Sequence, residues 1–209
     1  GPKQQKDSFE RKSGSGRNLP MARAAILPLF FITTVVISSL AVSTAEGFDQ
    51  VKKNGRPLKK KLSRFTVYWQ DILSGPRPTA VTVVKPPKKA PQSRTEFGMV
   101  RMIDNPLTRR KAVNSSVVGR AQGLYASASQ SELCFMMAMN FAFTSGKYSG
   151  SSLTLLGPNH ALSQVRELPV VGGTGLFRWA RGYAILTTMW LDEKSGDATV
   201  QYNITVMHY

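Results

Sequence analysis

The chain has 209 residues and a formal net charge of +16, which is enough for one ordinary domain with extensions. Its single cysteine, Cys134, excludes an intrachain disulfide, and its two histidines lie too far apart in sequence to indicate a metal site. The excess of Lys and Arg is typical of nucleic-acid-binding proteins. Much of it lies in a basic arm ahead of the predicted fold, however, which argues against that function.

Three N-terminal segments precede the predicted fold. Residues 1–20 are polar and are expected to be translated upstream sequence or a cloning remnant, non-native or disordered. Residues 21–45 carry an arginine, an apolar run and a small-residue end, which predicts a cleaved secretory signal peptide rather than a single membrane helix. Residues 46–63 are a predicted basic flexible arm, whose natural counter-charges in a secreted protein are acidic polysaccharides or membrane surfaces.

The predicted domain spans 64–209 and is all-β, because no segment has a convincing helical period. Alternation of apolar and polar residues predicts strands over 64–72 and 197–208. Gly, Pro, Asn and Ser clusters separate the other predicted strands, which are 79–84, 96–104, 117–127, 133–144, 151–156 and 180–189. About eight strands without crossover helices favour an antiparallel barrel over a sandwich, because closure removes exposed edges.

The predicted strand 133–144 is apolar on both faces. A strand of this kind is covered on both sides, so in a single-layer barrel a second subunit must provide the outer cover. The sequence therefore predicts a homo-oligomer; an internal helix or loop packing over the strand is the alternative.

The run from Gly173 to Gly175 resembles the opening of a phosphate-binding loop. The third glycine of that motif is missing, and the following residues are β-branched and aromatic rather than helical. These glycines therefore predict a turn between two strands. No haem, flavin or copper signature is present either, so the sequence predicts no cofactor.

Asp71 is the first candidate for chemistry, since alternation places its carboxylate on the same apolar face as Trp69. A carboxylate buried there needs a raised pKa or a hydrogen-bond donor, and such groups are functional candidates. The alternative is that the strand bends and Asp71 only caps a turn.

Two further candidates are Tyr125 and Arg166. Tyr125 alternates with small residues that leave volume for a ligand, although an ordinary core tyrosine is nearly as consistent with the pattern. Arg166 is suited to holding a phenolate or pairing with an acid; a surface arginine is the alternative.

From about Phe65 to Tyr209 the sequence resembles the plant dirigent proteins. The resemblance rests on five ordered blocks and on the ending GDATVQYNITVMHY. The blocks are YWQDILSGPRPTAV (68–81), FGMVRMIDNPLT (97–108), VVGRAQGLYASAS (117–129), MNFAFTSGKYSGSSLTLLG (139–157) and RELPVVGGTGLFRWARGYA (166–184). The resemblance implies an eight-stranded antiparallel barrel of the allene-oxide-cyclase-like type, usually a trimer although a dimer is an alternative, secreted to the apoplast.

The same resemblance implies roles for particular residues. The family's acid, tyrosine and arginine fall on Asp71, Tyr125 and Arg166, and the further residues expected in the cavity are Trp69, Asn159 and Phe143. Two positions depart from the family. Gln70 stands where many members have histidine, and Asn159 stands where pinoresinol-forming members have a second aspartate, which argues against pinoresinol formation.

The leading prediction is stereochemical control over phenoxy-radical coupling of monolignols such as coniferyl alcohol, in lignan biosynthesis. A separate laccase or peroxidase would supply the radicals. The motif DILSGP is more similar to that of pterocarpan synthases. The alternative is therefore a dehydratase that cyclises an isoflavanol through a quinone methide, so whether the protein is an enzyme stays open. A cell-wall-binding defence protein, held on acidic polysaccharide by its arm, is the third.

Sequons at Asn114 and Asn203 predict glycosylation of a secreted chain. No nucleic-acid partner is expected.

Overall fold

The computed structural model describes residues 52–53, 55–87 and 95–209. The predicted extension and signal peptide lie outside these residues, as does part of the predicted arm. Within the described part of the chain, no helix is both long and apolar enough to cross a membrane.

Eleven strands and two short 3₁₀ turns make up the described structure. β1 (Lys52–Lys53) and β2 (Arg56–Pro57) pair only with each other. The 3₁₀ turns are Gly146–Tyr148 and Gly175–Phe177. The other strands are β3 (Lys61–Asp71), β4 (Ala80–Val84), β5 (Val100–Thr108), β6 (Val117–Ser127), β7 (Cys134–Phe143), β8 (Ser152–His160), β9 (Arg166–Thr174), β10 (Arg181–Leu191) and β11 (Ala198–His208).

Eight of these strands close into a barrel. They follow the order β3-β11-β10-β9-β8-β7-β6-β5, every pair is antiparallel, and β3 meets β5 where Trp69 faces Leu107. The predicted eight-stranded antiparallel barrel is confirmed. Its membership differs from the prediction, because β4 pairs with the first half of β5 outside the ring. The eighth barrel strand is β9, which the sequence patterns did not reveal.

The start of the barrel also differs from the predicted domain limits. β3 begins at Lys61, so it includes the last residues of the predicted arm. These residues are strand because they pair with the end of β11, where Lys61 faces His208.

The run DNPLT at 104–108 follows the predicted strand 96–104 and is a turn signal in the sequence, but the structure places these residues in β5. Proline is tolerated in a strand only where its missing N–H is not needed. The amide of Asp104 donates to Thr79 O, so by alternation the nitrogen of Pro106 faces the same edge. At this position β5 no longer pairs with β4 and does not yet pair with β3, so Pro106 costs the sheet no backbone hydrogen bond.

The glycines of the 173–175 run have separate roles. Gly173 lies in β9, where a Cβ would stand 2.4 Å from the backbone oxygen of Ser152. Gly175 has φ +60, which favours glycine, and begins the turn between β9 and β10. The predicted turn is therefore correct for Gly175, while Gly173 allows two strands to approach each other closely.

One end of the barrel is closed by packed aromatic rings, which we call the aromatic cluster. Its ring centroids lie 4.7–6.1 Å apart. Phe177 is fully buried at its centre. Because these side chains fill the interior, this end of the barrel is packed like a protein core. The members are Phe65, Phe143, Tyr148 and Phe177.

The outer surface of the barrel carries a row of apolar side chains, exposed at its two ends, which we call the outer apolar row. Register aligns one residue from each of β5, β6, β7 and β8. Met102 and Leu156, at the two ends of the row, are 43% and 41% exposed, so no described helix or loop covers them. The row consists of Met102, Leu124, Ala138 and Leu156.

Candidate functional site

The other end of the barrel opens into a cavity of about 800 Å³. Its walls combine apolar side chains with a few buried polar groups, which is typical of small-molecule sites. The apolar lining includes Trp69, Leu133, Phe135 and Met137, and the polar lining includes Asp71, Arg101, Tyr125, Asn159 and Arg166.

Asp71 is the last residue of β3 and points into the cavity, with only 6% of its surface exposed. Its Oδ1 accepts a hydrogen bond from Asn105 Nδ2 at 2.9 Å, and its Oδ2 accepts one from Tyr125 Oη at 2.9 Å. Burial raises the pKa of Asp71 to about 6, although the two hydrogen bonds and the charge of Arg101 act in the opposite direction. This carboxyl therefore changes charge close to neutral pH.

The alternative interpretation of Asp71, as a turn cap, is wrong because another carboxylate has that role. Asp197 Oδ1 accepts hydrogen bonds from the amides of Leu73 and Ser74, at 2.7 and 2.9 Å. These bonds satisfy the turn after β3. The side chain of Asp71 is thus left to the cavity.

Tyr125 lies on the inner face of β6, 3% exposed, and its hydroxyl donates to Asp71. Burial, followed by the charge of Asp71, raises the pKa of Tyr125, so the phenol stays protonated. The neighbouring Gly123 has φ +147, and a Cβ there would lie 2.2 Å from the backbone oxygen of Ala138. Glycine at 123 thus lets β7 approach β6 beside the phenol.

Arg101 continues this chain of polar groups toward the solvent. Its Nη1 lies 3.4 Å from Tyr125 Oη, and its guanidinium carbon lies 5.8 Å from the centre of the same ring. Its Nε donates to Thr82 Oγ1 at 3.1 Å, and its Nη2 pairs with Glu96 at 3.4 Å. The guanidinium is therefore held in place at the edge of the cavity by three neighbours.

Arg166 opens β9 and is 6% exposed. Its Nη1 donates to Thr188 Oγ1 at 2.8 Å and to the backbone oxygens of Ser163 and Ala161, at 3.1 and 3.4 Å. Burial lowers the pKa of Arg166, but a guanidinium keeps its proton at any physiological pH. The surface alternative for Arg166 is therefore wrong.

The other predicted cavity residues divide between the two ends of the barrel. Trp69 and Asn159 line the cavity and are buried. Phe143 does not line the cavity; it is part of the aromatic cluster at the closed end. Alternation correctly gives Phe143 an inward side chain, but its position at the end of β7 places it far along the barrel from Asp71.

The two predicted glycosylation sites are both exposed on the surface. Asn114 lies in the turn between β5 and β6, while Asn203 lies on the outer face of β11. The Oδ1 of Asn203 accepts hydrogen bonds from Thr66 at 2.7 Å and Gln201 at 3.1 Å. Glycosylation of either residue stays a prediction.

Sequence reasoning missed two residues of the site, Asn105 and Arg101. Asn105 was hidden because its neighbours Asp104 and Pro106 suggested a turn. The Oδ1 of Asn105 accepts from Thr79 Oγ1 at 2.6 Å, which orients its Nδ2 toward Asp71. Alternation within β5 would have placed both residues on the inner face with Ile103 and Leu107.

A comparison with known proteins gives the family. The model of the Dirigent-like protein family matches residues 62–207. The chain is 49% identical over 189 residues to "Dirigent protein 7" of Arabidopsis thaliana, a match that covers 88% of this chain and all of the relative. The chain belongs to the dirigent family.

Other dirigent relatives carry a more specific name. "Pterocarpan synthase 1" of Glycyrrhiza echinata is 41% identical over 183 residues, covering 86% of this chain and 97% of the relative. The solved structure of the pterocarpan synthase dirigent protein GePTS1 is 42% identical, has a TM-score of 0.68, and is matched over 74% of this chain and 88% of its own. The dirigent match includes Asp71, Arg101, Tyr125, Asn159 and Arg166 of the cavity lining.

The site chemistry of this dirigent barrel follows from the hydrogen bonds of Asp71. Both carboxylate oxygens accept from protein donors, which suits the ionised form. When the carboxyl is protonated, its O–H can donate a hydrogen bond to an acceptor on a molecule in the cavity. Asp71 can therefore accept a hydrogen bond from a bound phenol in one state and donate a proton to it in the other.

Proposed function

We propose that this dirigent protein binds phenoxy radicals of a monolignol such as coniferyl alcohol and fixes the faces through which they couple. The observation that carries the proposal is the cavity of about 800 Å³, in which Asp71, Tyr125 and Arg166 stand among apolar walls. That volume lies within the range used for small-molecule ligands. Binding in one orientation removes the entropy of competing approaches, so one stereoisomer is favoured.

The division of labour in this proposal follows the lining of the cavity. A separate laccase or peroxidase makes the radicals. Apolar side chains such as Phe135 and Met137 hold the aromatic rings. Asp71, with Tyr125 behind it, and Arg166 bind the oxygen atoms and thereby set the orientation of each ring.

A second candidate function, a pterocarpan-synthase-like dehydratase, is supported by the raised pKa of Asp71, about 6. A carboxyl of this kind is a suitable general acid. In the reaction, Asp71 gives a proton to the leaving hydroxyl of an isoflavanol, the C–O bond breaks and water departs, and a quinone methide forms as the phenol loses its proton to solvent. A second hydroxyl then adds to the quinone methide, closes the ring and gives its proton to the Asp71 carboxylate. The quinone methide oxygen becomes a phenolate, which Arg166 stabilises until it regains a proton from solvent.

One pair of assays separates the two functions. Coniferyl alcohol is oxidised by a laccase with and without the protein, and chiral chromatography measures the enantiomeric excess of the coupled products. An isoflavanol is incubated with the protein alone, and loss of water is followed by mass spectrometry. We expect an enantiomeric excess in the first assay, and we expect Asp71→Asn to abolish it.

Asp104→Asn is the matched control, because it makes the same change at an exposed carboxylate on the outside of β5. The control should keep the selectivity of the unmodified protein. Racemic products from the monolignol would refute the coupling function for that substrate. Dehydration of the isoflavanol without any oxidase would establish the second function instead.

We propose further that the protein is a secreted homo-oligomer, most simply a trimer, in the apoplast. The outer apolar row supports this, since its exposed members, Met102 and Leu156, are suited to pack against another copy. Exposed basic residues at the start of β3, Lys61 and Arg64, are consistent with an acidic cell-wall polysaccharide as a further partner. Light scattering of the purified barrel tests assembly, and a monomer at micromolar concentration would refute it.

A further inference from the structure

Arg166 is a buried cation without a carboxylate partner in the described part of the chain. Its recorded hydrogen bonds go to two backbone oxygens and to the hydroxyl of Thr188. Only 6% of the residue is exposed, and its buried Nε has no hydrogen-bond partner within the part of the chain that the structure describes. An unpaired charge in such a place is costly, so the fold retains it at the expense of stability.

Asn159 stands in the same cavity with an unused acceptor. It lies near the end of β8, and the turn 161–165 leads from that strand to Arg166. Among the described residues, the Oδ1 of Asn159 is buried without a partner, and its Nδ2 donates to the sulfur of Met137 at 3.8 Å. Because an amide is neutral, Asn159 does not neutralise the guanidinium.

The acidic residues that face the cavity are engaged elsewhere. Asp71 accepts from Asn105 and Tyr125, and Glu96 pairs with Arg101. Asp192 accepts hydrogen bonds from the amide of Lys194 and the hydroxyl of Ser195 in its own turn. Glu193 is exposed at the mouth, where solvent screens its charge.

The unpaired guanidinium therefore leaves a place for an anion that the bound molecule must supply. We propose that, among the phenols that it binds, the cavity prefers one that carries a carboxylate, so that a hydroxycinnamate with its charge on Arg166 binds more tightly than the corresponding alcohol. This inference deepens the proposed function and rests on it. A carboxylate offers two oxygens, which suits the planar fork of the guanidinium. The neutral alcohol has no charge with which to compensate Arg166.

The test compares two probes that differ only at this group, 4-hydroxy-3-methoxycinnamate and coniferyl alcohol. Isothermal titration calorimetry with the whole protein at neutral pH measures the affinity for each probe. We expect the acid to bind about tenfold tighter than the alcohol or more, since a hydrogen bond to a charged group is at stake. Asn159→Asp supplies an internal carboxylate of the same shape, so it should remove this preference.

Two more variants keep the test interpretable. Asn140→Asp makes the same substitution on the exposed outer face of β7, and it should keep the preference for the acid. Arg166→Gln removes the positive charge and should lose the preference without adding an acid. If Asn159→Asp does not fold, the Arg166→Gln result decides by itself.

The inference is overturned if the unmodified protein binds the alcohol as tightly as the acid, or binds neither probe. It is also overturned if Asn159→Asp and Arg166→Gln both keep the preference seen with Asn140→Asp. Laccase-driven coupling separates this failure from failure of the proposed function. An enantiomeric excess with coniferyl alcohol, together with equal affinities for the two probes, would keep the coupling function and reject only the preference for the carboxylate.

Discussion

The two ends of the barrel are built from the same strands but are completed in opposite ways. At the closed end, the aromatic cluster fills the interior around the fully buried Phe177. At the open end, the strands surround a cavity of about 800 Å³. Four buried polar atoms there and in the adjoining interior lack a partner among the described residues: Trp69 Nε1, Asn159 Oδ1, Arg166 Nε and Tyr202 Oη.

This difference indicates a division between stability and function. Closely packed aromatic rings stabilise the fold, whereas buried polar atoms without partners destabilise it. The open end therefore lowers stability in the absence of a ligand, and the closed end compensates. Substitutions at the two ends should accordingly have opposite profiles, with large losses of stability at one end and large losses of function at the other.

The largest expected effect on stability comes from Phe177→Ala at the closed end. Phe177 contacts the rings of Phe65, Phe143 and Tyr148, so its truncation leaves a cavity inside the aromatic cluster. The free energy of unfolding should fall by about 3–5 kcal/mol, measured by chemical denaturation. Stereoselectivity of the remaining folded protein should persist.

Leu176→Ala is the matched control, because Leu176 precedes Phe177 and is 50% exposed. It should cost less than about 0.5 kcal/mol. Equal losses for the two variants would show that the aromatic cluster does not have the stabilising role assigned to it.

At the open end, Asp71→Asn should change stability in a pH-dependent way. The pKa of Asp71 rises on folding from 3.8 to about 6, so the folded state binds the proton more tightly than the unfolded state. The resulting stabilisation is complete below about pH 4 and is lost as the pH rises through about 6. The unmodified protein should lose about 3 kcal/mol over this interval relative to Asp71→Asn.

Denaturation curves of both proteins from about pH 3 to about pH 7, a range that brackets the pKa values of 3.8 and about 6, measure this difference. A stability difference that does not change with pH would mean that Asp71 ionises as it does in water. In the dehydratase function, the turnover rate should fall over the same rise in pH, because the general acid is then deprotonated.

The sequence was sufficient to predict which side chains face the interior. Alternation in strands has a period of two, so it correctly oriented Asp71, Tyr125 and Trp69. The barrel itself was predictable from the succession of short strands and the absence of helical segments. Turn chemistry was less reliable, since the Asp-Asn-Pro run concealed the end of β5 and with it Asn105.

Position along the barrel axis was not predictable in the same way. Alternation assigns a side chain to a face, whereas the stagger between neighbouring strands sets its height in the barrel. Phe143 was therefore given the correct face and the wrong end. Arg101 was missed because its role depends on the register that places it opposite Tyr125.

The smallest effect is expected at Tyr202, which is fully buried and whose hydroxyl has no partner among the described residues. Tyr202→Phe removes this hydroxyl without changing the shape of the ring, so the protein should become more stable by about 1 kcal/mol. Tyr125→Phe removes a hydroxyl that donates to Asp71 at 2.9 Å, so the same change should destabilise the fold by about 1–2 kcal/mol. Chemical denaturation of the two variants in parallel measures both effects. Destabilisation by Tyr202→Phe would show that this hydroxyl has a hydrogen-bond partner in solution. The buried polar atoms of the open end would then cost less stability than we infer from their lack of partners.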